Sequence, residues 1–348
     1  MIDLLSMDQQ DMEYFAVEQG FPRFRGKQLY QWCHKNEIFD FDKMGNLPKD
    51  FRQILKDKTA FFRGEKITEV ISKDGETVKF LLRFDNVLIE TVMMRYKRKN
   101  ARDRNTLCIS TQAGCSMGCK FCATGKNGLT RNLTTGEIID QVNYANDFLR
   151  KRGETPISNV VYMGMGEPFA NYDATLKCLQ ILNDAKEIGM RHMTVSTCGL
   201  IPEIEKLAKE NLQLTLAVSL HSPDSEKRTN LMPINKKYPL QNLMKTLDGY
   251  IEKTDRRITV EYALFQNVND TKQDAEQLAA LLKNKLYHVN IVPGNPVEGT
   301  GLNRSPQNRI NEFVSILEAH HIPVSIRESK GKDIDGACGQ LRAKYEKS

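Results

Sequence analysis

A regular alternation of strand-like and helix-like segments from residue 106 onward most constrains the fold of this chain. Six short runs rich in β-branched residues each precede a stretch whose apolar residues repeat at helical spacing. The predicted strands cover residues 107–111, 159–163, 193–197, 215–220, 258–264 and 288–292. The predicted helices lie near residues 135–151, 173–187, 202–210, 239–254, 271–284 and 306–320. This alternation predicts a parallel sheet wrapped by helices, either doubly wound or curled into a barrel.

Six strand–helix units are two fewer than a complete TIM barrel has. We therefore predict an α/β fold, an open, partial (β/α)6 TIM-like barrel, with residues 323–327 as a candidate edge strand. In both architectures ligands bind at the carboxyl ends of the strands. The motifs that follow the strands are thus the candidate site: a cysteine-rich loop, GMGEP at 164–168, STCG at 196–199, SLHS at 219–222 and VPGNP at 292–296.

The first 95 residues predict a small, separate α+β domain. Amphipathic helices are expected at 8–19, 25–35 and 49–59, and strands at 67–72, 77–84 and 87–94. Residues 96–105 are interpreted as a basic linker, and residues 106–348 as the barrel with a C-terminal segment. The stretch 95–104 holds six Lys or Arg against one Asp, and PRFRGK at 22–27 is a second basic cluster. These clusters are either solvated surface or contacts to RNA phosphates.

Composition and cysteine content indicate a cytosolic protein. No apolar run approaches the roughly 18 residues of a transmembrane helix, and the N-terminus carries acids where a signal peptide is basic. In a reducing compartment the eight cysteines do not suggest a disulfide framework, so the clustered ones indicate metal binding or catalysis. The net charge of +6 is a weak indication of a polyanionic partner.

Three cysteines of the loop after the first barrel strand form a metal-binding motif. Cys115, Cys119 and Cys122 stand in the order C-x3-C-x2-C. Zinc usually takes four ligands, and a fourth would have to come from His192 or His221 on other strands. An iron–sulfur cluster held by only three thiolates would keep one iron open for a further ligand. The residues by themselves leave both metals in play.

The wider motif set resembles a known family. The cysteine spacing, with Phe121 before its last cysteine, resembles the signature of radical S-adenosylmethionine (SAM) enzymes. MGMGEP, VSLHSP, NLMPINKKYPL, EYALFQNVND, HVNIVPGNP and DIDGACGQLR together resemble the RlmN/Cfr family, which methylates an adenine of 23S ribosomal RNA. The resemblance runs from about Phe21 to the C-terminus. It implies a partial barrel of radical SAM type, an RNA-binding N-terminal domain and two SAM molecules per turnover.

The resemblance also implies the residues that bind cofactors. Cys115, Cys119 and Cys122 would hold a 4Fe-4S iron–sulfur cluster whose open iron takes the amino and carboxylate groups of SAM. Gly166 and Glu167 would contact the amino acid portion of SAM. The rest of the SAM molecule would lie against Ser196, Ser219, Leu220, His221 and Asn295.

The same resemblance implies four catalytic residues. Cys338, in the ACGQL motif, would be methylated first, and its methyl group would lose a hydrogen atom before adding to the adenine ring. Glu90 would accept the proton that the ring gives up, and Met163 would lie beside this chemistry. Cys108 would form a transient disulfide with Cys338 and so release the product. Cys33, Cys178 and Cys198 are interpreted as packing residues.

Regiochemistry and partners follow from the resemblance as well. Pro168 in GMGEP and the IVPGNPV stretch look like RlmN, which methylates C2 of adenosine 2503, whereas LHSP, LMPIN and LYHVN look closer to Cfr, which methylates C8 and confers antibiotic resistance. The balance favours C2. The expected partners are 23S rRNA, tRNA as in some relatives, and an electron donor such as flavodoxin or ferredoxin, with a monomeric protein and no membrane. The non-enzymatic alternative is a zinc-stabilised RNA-binding module.

Overall fold

The structure, a computed structural model, describes residues 1–97, 103–126, 128–294, 299–327, 330 and 332–334. Within these residues the strands are β1 (Ile2–Asp3), β2 (Thr59–Ala60), β3 (Glu65–Ile71), β4 (Thr77–Phe84), β5 (Val87–Tyr96), β6 (Arg104–Cys108), β7 (Gln112–Gly114), β8 (Leu129–Asn132), β9 (Asn159–Tyr162), β10 (Met193–Thr197), β11 (Thr215–Ser219), β12 (Ile258–Leu264), β13 (Tyr287–Pro293) and β14 (Val324–Ile326).

The α-helices of the described residues alternate with the later strands as predicted. They are α1 (Gln9–Glu18), α2 (Phe24–Tyr30), α3 (Lys49–Lys58), α4 (Ala123–Lys126), α5 (Thr135–Arg150), α6 (Tyr172–Ala185), α7 (Ile201–Glu210), α8 (Ser225–Leu231), α9 (Leu240–Thr254), α10 (Lys272–Leu282) and α11 (Gln307–Ala319). The short helices α4 and α8 were not predicted. No described helix is both long enough and apolar enough to cross a membrane.

One sheet of ten strands, in the order β14-β13-β12-β11-β10-β9-β6-β5-β4-β3, dominates the molecule. The run from β6 through β9 to β14 is parallel throughout, with Cys108 opposite Val161 at the first of these pairs. The helices α5, α6, α7, α9, α10 and α11 connect or follow these strands. The predicted partial barrel of alternating strands and helices is therefore confirmed, and β14 is the predicted edge strand.

Helix α5 shows which face of the sheet the helices cover. Thr134 and Glu137 form a reciprocal capping box at its start, as the sequence predicts. Gln141, on its buried side, accepts a hydrogen bond from the hydroxyl of Thr91 on β5 at 2.5 Å. Because side chains alternate along a strand, Glu90 and Val92 lie on the opposite face. We call that opposite face, which the barrel strands share, the inner face.

The antiparallel strands β3, β4 and β5 extend the barrel sheet. Strand β5 pairs with β6 from Val92 opposite Cys108 to Tyr96 opposite Arg104. The hydrogen-bonded sheet thus crosses the predicted boundary at residue 95, and Tyr96 and Arg104, expected in the basic linker, are paired strand residues. Without β5, strand β6 would present an unpaired edge to solvent. The extension therefore covers one edge of the half-barrel.

The N-terminal part of the chain packs against α5 and the end of α6. Arg63 forms an ion pair with the fully buried carboxylate of Asp140 on α5 at 2.9 Å, and the amide of Gly64 donates to the same carboxylate. Lys186, just after α6, pairs with Glu37 at 2.6 Å. These buried contacts fix the N-terminal part against the barrel, because breaking a buried ion pair leaves an uncompensated charge.

Candidate active site at the mouth of the half-barrel

A short antiparallel hairpin of β7 and β8 carries the cysteine loop. Gln112 pairs with Asn132 and Ala113 with Arg131, and the amide of Cys115 donates to the carbonyl of Gly128 at 2.8 Å. Gly114 has φ +82°, and a Cβ atom there would lie 2.0 Å from the carbonyl oxygen of Gly128. Only glycine fits where the two arms come this close. The hairpin was not predicted from the sequence.

The tip of the loop crosses the barrel mouth to β11 and β12. Phe121 packs edge-on against the ring of His221 at 4.5 Å between centroids and lies 5.9 Å from Phe265. The amide of Lys120 donates to the carbonyl of Leu231, at the end of α8. These contacts hold the cysteines over the carboxyl ends of the parallel strands, where sites of this fold are expected.

His221 is a buried, neutral bridge between the loop and the sheet. Its Nδ1 accepts a hydrogen bond from the amide of Ala263 at 2.9 Å, so the ring proton is on Nε2. Burial, and then the nearby Arg228, lower the pKa of His221 to about 3. Its backbone is left-handed, with φ +56°. His192, the other histidine weighed as a zinc ligand, precedes β10 and therefore lies at the opposite end of the strands from the cysteine loop.

The three cysteines of the motif are grouped at the loop. Cys115 is buried, and Cys119 and Cys122 are partly buried. Burial, together with the charges of Glu167 and Cys122, raises the pKa of Cys115 to about 11. The pKa of Cys119 is raised by burial first, and then by the like charges of Cys122 and Cys115. Thiolates here would repel one another, and a bound cationic centre would offset that repulsion. Within the described ranges, no three His, Cys, Asp or Glu side chains already surround a single metal position.

Glu167 joins the motifs that follow β9 and β10. Its carboxylate accepts hydrogen bonds from the amides of Cys198 at 2.8 Å and Phe169 at 3.1 Å, and its own amide donates to Gln112. Burial raises the pKa of this carboxyl, while the bonds from Cys198 oppose that change. Glu167 therefore orders the rim of the barrel, whatever ligand it contacts.

Gly166 packs where a side chain cannot fit. Its φ is +99°, and a Cβ atom there would lie 2.5 Å from Cβ of Gln112. The backbone conformation and the contact with Gln112 therefore require glycine here, independently of any close approach to a cofactor.

The predicted SAM-binding residues that the structure describes lie at neighbouring strand ends. Ser196 is half-buried on the inner face of β10 and pairs with Ala217 of β11, and Ser219 ends β11 on the same face. The amide of Leu220 donates to the carbonyl of Glu261, and its side chain is fully buried in the core. A ligand at the mouth would therefore meet the backbone of Leu220. Asn295 lies outside the described residues.

Three of the four predicted catalytic residues come from neighbouring strands: Glu90 lies on the inner face of β5, Cys108 ends β6 on the same face, and Met163 directly follows β9. Cys108 is opposite Val92, two residues from Glu90 along β5, and opposite Val161, two residues from Met163. Cys108 and Glu90 are thus diagonal neighbours in an antiparallel pair, and such neighbours are roughly 7–8 Å apart. Cys108 and Glu90 are both buried. Cys338 lies outside the described residues, although Asp333, five residues earlier in the chain, accepts a hydrogen bond from the amide of Lys73 beside β3.

A buried network that was not predicted holds Glu90 in place. The hydroxyl of Ser110 donates to the carbonyl of Glu90 at 2.7 Å and accepts from the amide of Met165 at 2.8 Å. The amide group of Gln141 bonds to the backbone nitrogen and oxygen of Ser110. The sequence indicates this network only through Gln141, a polar residue on the predicted buried side of a helix, because buried polar groups need hydrogen-bond partners.

The basic clusters are partly engaged within the protein. Arg95 forms an ion pair with Glu154 at 3.4 Å, and Arg104 lies over the ring of Tyr96 at 4.1 Å. Arg25 lies over the exposed ring of Phe24 at 4.6 Å. Residues 98–102 of the predicted basic segment lie outside the described residues. An exposed aromatic ring beside a guanidinium is a surface on which nucleic-acid bases stack.

Comparison with known proteins agrees with this architecture along the whole chain. The family model of the radical SAM superfamily matches residues 109–282, and that of the ribosomal RNA large subunit methyltransferase N-terminal domain matches residues 2–60. A probable dual-specificity RNA methyltransferase RlmN of Desulfitobacterium hafniense is 45% identical, covering 99% of this chain and 97% of the relative. One of Geobacillus kaustophilus is 46% identical, covering 99% and 93%.

A solved structure matches at nearly full length. The crystal structure of a radical SAM methyltransferase from Sphaerobacter thermophilus superposes with a TM-score of 0.91 at 42% identity, covering 98% of this chain and 99% of that one. Both the N-terminal part and the half-barrel are therefore shared with that protein.

Proposed function

This chain belongs to the RlmN family of radical SAM methyltransferases, and on that premise we propose that it methylates C2 of an adenine, adenosine 2503, in 23S rRNA. The radical SAM family implies a 4Fe-4S cluster and SAM as cofactors. The observation that best supports the proposal is the position of Glu90 and Cys108 on one inner face, with Met163 at the end of the adjacent strand, beside the cysteine loop. The relatives are named dual-specificity RNA methyltransferases, and we propose tRNA as the second substrate of this chain.

The chain's residues fit these cofactors. Cys115, Cys119 and Cys122 offer three thiol donors on one docked loop, and Glu167 offers a buried carboxylate at the adjoining rim. When bound, the cluster and SAM supply a radical strong enough to abstract hydrogen, which methylation of an unactivated aromatic carbon requires. We propose that Glu167 receives the amino group of SAM, that Gly166 allows its close approach, and that Ser196, Ser219, His221 and Asn295 position the rest. Two SAM molecules serve each turnover, one of them to methylate Cys338.

The inner face would then complete the transfer by acid–base and thiol chemistry. Joining a carbon radical on the sulfur of Cys338 to C2 of the adenine would leave one surplus electron on the adduct. That electron would pass to the bound redox cofactor, and Glu90 would take the ring proton. The thiolate of Cys108 attacks the sulfur of Cys338, a disulfide forms, and the sulfur–carbon bond breaks. The released carbon takes a proton and remains on the ring as the methyl group. An external dithiol then reduces the disulfide to two thiols.

Product analysis tests the proposed reaction. The protein, reconstituted anaerobically, is incubated with a 23S rRNA fragment, SAM and a low-potential reductant, and the nucleosides are compared with 2-methyladenosine and 8-methyladenosine standards by mass spectrometry. We expect 2-methyladenosine. Appearance of 8-methyladenosine alone would support the Cfr-type alternative, which the LHSP and LMPIN motifs favour. A colourless protein that binds zinc and makes neither product would support the RNA-binding module.

The releasing role of Cys108 has a separate test. Replacement of Cys108 by Ala should leave the protein covalently attached to RNA, visible as a slow band in a denaturing gel. Cys178, a buried cysteine on α6 whose sulfur accepts from Tyr162, provides the matched control, because its replacement by Ala should leave no adduct. Clean turnover by the Cys108 variant would contradict this role.

The remaining partners are proposed on the same basis. Residues 1–95 would bind the RNA, and the exposed ring of Phe24 beside the half-buried Arg25 gives that part a surface suited to it. A flavodoxin or ferredoxin would donate the electrons, and the protein would act as a monomer in the cytoplasm.

A further inference from the structure

Arg228, on α8, is a buried guanidinium at the base of the cysteine loop. Its side chain is 0% exposed. Nη2 donates to the carbonyl of Cys198 at 2.8 Å and to that of Ser219 at 3.3 Å, and Nη1 donates to Oδ1 of Asn235 at 2.8 Å. Nε is buried and has no hydrogen-bond partner. Arg228 thus ties together the ends of β10 and β11, where the predicted SAM-binding residues lie.

This charge has no ion-pair partner in the part of the chain that the structure describes. Within the described residues, the Arg228 side chain donates only to neutral oxygens, and no carboxylate lies within 4.0 Å of its nitrogen atoms. Burial lowers the pKa of Arg228 to about 10, so it stays a cation at neutral pH. Buried charges in proteins are normally paired, because removing an ion from water is costly. An anion near this position would supply the missing charge.

The cysteine loop packs against the segment that follows Arg228. The carbonyl of Leu231, three residues after Arg228, accepts from the amide of Lys120 inside the C-x3-C-x2-C motif. A Cβ atom on Gly118 would lie 3.9 Å from Pro233, which closely follows the same helix. Cys198, whose carbonyl binds Arg228, donates its amide to Glu167. The guanidinium therefore lies behind the loop and the rim, shielded from solvent.

We propose that Arg228 is the built-in counter-charge of an anionic iron–sulfur cluster on Cys115, Cys119 and Cys122, and that it raises the reduction potential of that cluster. This inference rests on the proposed function. A 4Fe-4S cluster with three thiolates carries a net negative charge, and the electron accepted from a one-electron donor adds another. A fixed positive charge in a region of low dielectric stabilises the reduced form more than the oxidised form. Arg228 acts through the cofactor and is a positioning residue.

Two variants abolish the effect of the Arg228 charge on the cluster, one by deleting the charge and one by neutralising it. Arg228→Gln deletes it and keeps a hydrogen-bonding side chain. Asn235→Asp places a carboxylate on the guanidinium and so cancels its field while Arg228 remains. Arg228→Lys keeps a charge at the same position. The matched control is Arg256→Gln, because Arg256 also donates to backbone carbonyls, those of Gln213 and Leu214, and also has a buried unpartnered Nε, but lies at the amino end of β11.

The measurement is a redox titration of the reconstituted proteins without RNA or SAM, followed by visible absorbance and electron paramagnetic resonance. For Arg228→Gln and Asn235→Asp we expect the ratio of reduced to oxidised cluster at a fixed potential to fall roughly tenfold, which is about 59 mV for a one-electron couple. The cluster of Arg228→Lys should have a reduction potential closer to that of wild type. The cluster of Arg256→Gln should have the same potential as wild type. If Arg228→Gln does not hold the cluster, Asn235→Asp decides the question.

The outcomes separate this inference from the proposed function. A wild-type protein that takes up no iron–sulfur cluster overturns both. A wild-type cluster whose potential is shared by Arg228→Gln, Asn235→Asp and Arg256→Gln overturns the role of Arg228 alone. A merely structural role would lower the free energy of unfolding of the variants and leave the potential of the loaded cluster unchanged.

Discussion

The amide nitrogen of Cys198 donates a 2.8 Å hydrogen bond to Oε2 of Glu167, which joins the end of β10 to the loop after β9. Replacing Glu167 with Ala would leave this amide and that of Phe169 buried without an acceptor. Each such loss costs about 1–3 kcal/mol. We expect Glu167→Ala to lower the free energy of unfolding of the cluster-free protein by roughly 2–5 kcal/mol, and urea unfolding measures it.

Glu167→Gln separates the structural role from cofactor binding. Gln keeps one acceptor oxygen, so its unfolding free energy should fall by less than that of the Ala variant. It loses the negative charge, so its affinity for SAM, measured by equilibrium dialysis on the cluster-loaded protein, should fall. Glu261, a second buried carboxylate, accepts from the side chain of Asn290 and serves as the stability control when replaced by Gln. Unchanged stability of Glu167→Ala would refute the role of Glu167 at the rim.

Gly166→Ala should unfold far more easily than wild type. A Cβ atom at this position meets Cβ of Gln112 at 2.5 Å, and the φ of +99° disfavours any side chain. Strain and overpacking together predict a loss of roughly 2–5 kcal/mol. Gly20→Ala isolates the backbone contribution, because Gly20 has φ +82° and nothing within 4 Å of its Cβ position. That control should lose about 1–2 kcal/mol. Equal losses for the two variants would show that the contact with Gln112 relaxes.

Ser110→Ala should reduce turnover as well as stability. Its hydroxyl links the carbonyl of Glu90 to the amide of Met165, so its removal leaves both groups unsatisfied near the inner face. We expect a loss of about 1–3 kcal/mol in unfolding free energy and a lower kcat for methylation. Thr91→Val removes a bond of the same network on the outer face, to Gln141, and should lower stability with little change in kcat. Equal kcat values for both variants would argue against a positioning role for Ser110.

The sequence predicted the barrel well because its local signals agree with one another. The strand at 258–264 and the capped helix beginning after Thr134 match the structure closely, since both are long periodic segments with clear ends. The pairing of β5 with β6 was not predicted, because hydrogen bonding between strand edges depends on the whole fold. Strands β7 and β8 were missed for a related reason, as three or four residues carry no periodicity.

The candidate site was predicted where its residues form motifs and missed where they act through contacts. The cysteine triplet and GMGEP stand out by spacing, and the structure places them at adjoining strand ends. In the sequence, no motif distinguishes Ser110, Gln141 and Arg228 from other polar residues. Their importance comes from burial and from hydrogen bonds between segments about 30 residues or more apart, such as Gln141 with Ser110 and Arg228 with Cys198.

The stability of this protein should fall in mild acid because of His34. Its Nε2 donates to the carbonyl of Met7 at 2.9 Å, and its side chain is fully buried near Lys186. Burial, followed by the charge of Lys186, lowers the pKa of His34 to about 3, against an ordinary value of 6.5. Between these values the unfolded chain binds a proton that the folded protein does not. The free energy of unfolding therefore rises with pH across this window. It decreases by about 1.4 kcal/mol for each pH unit of acidification when one such group is involved.

His34→Gln tests this dependence, since the side-chain amide of Gln can donate to Met7 and does not titrate. We expect urea unfolding between pH 7 and pH 5 to show a shallower pH dependence for this variant than for wild type. A residual slope should remain, because burial lowers the pKa of His221 to about 3 as well. His320, an exposed histidine beside Glu276, is the matched control, and its replacement by Gln should leave the slope unchanged. A His34→Gln slope equal to that of wild type would show that His34 does not become protonated on unfolding in this range.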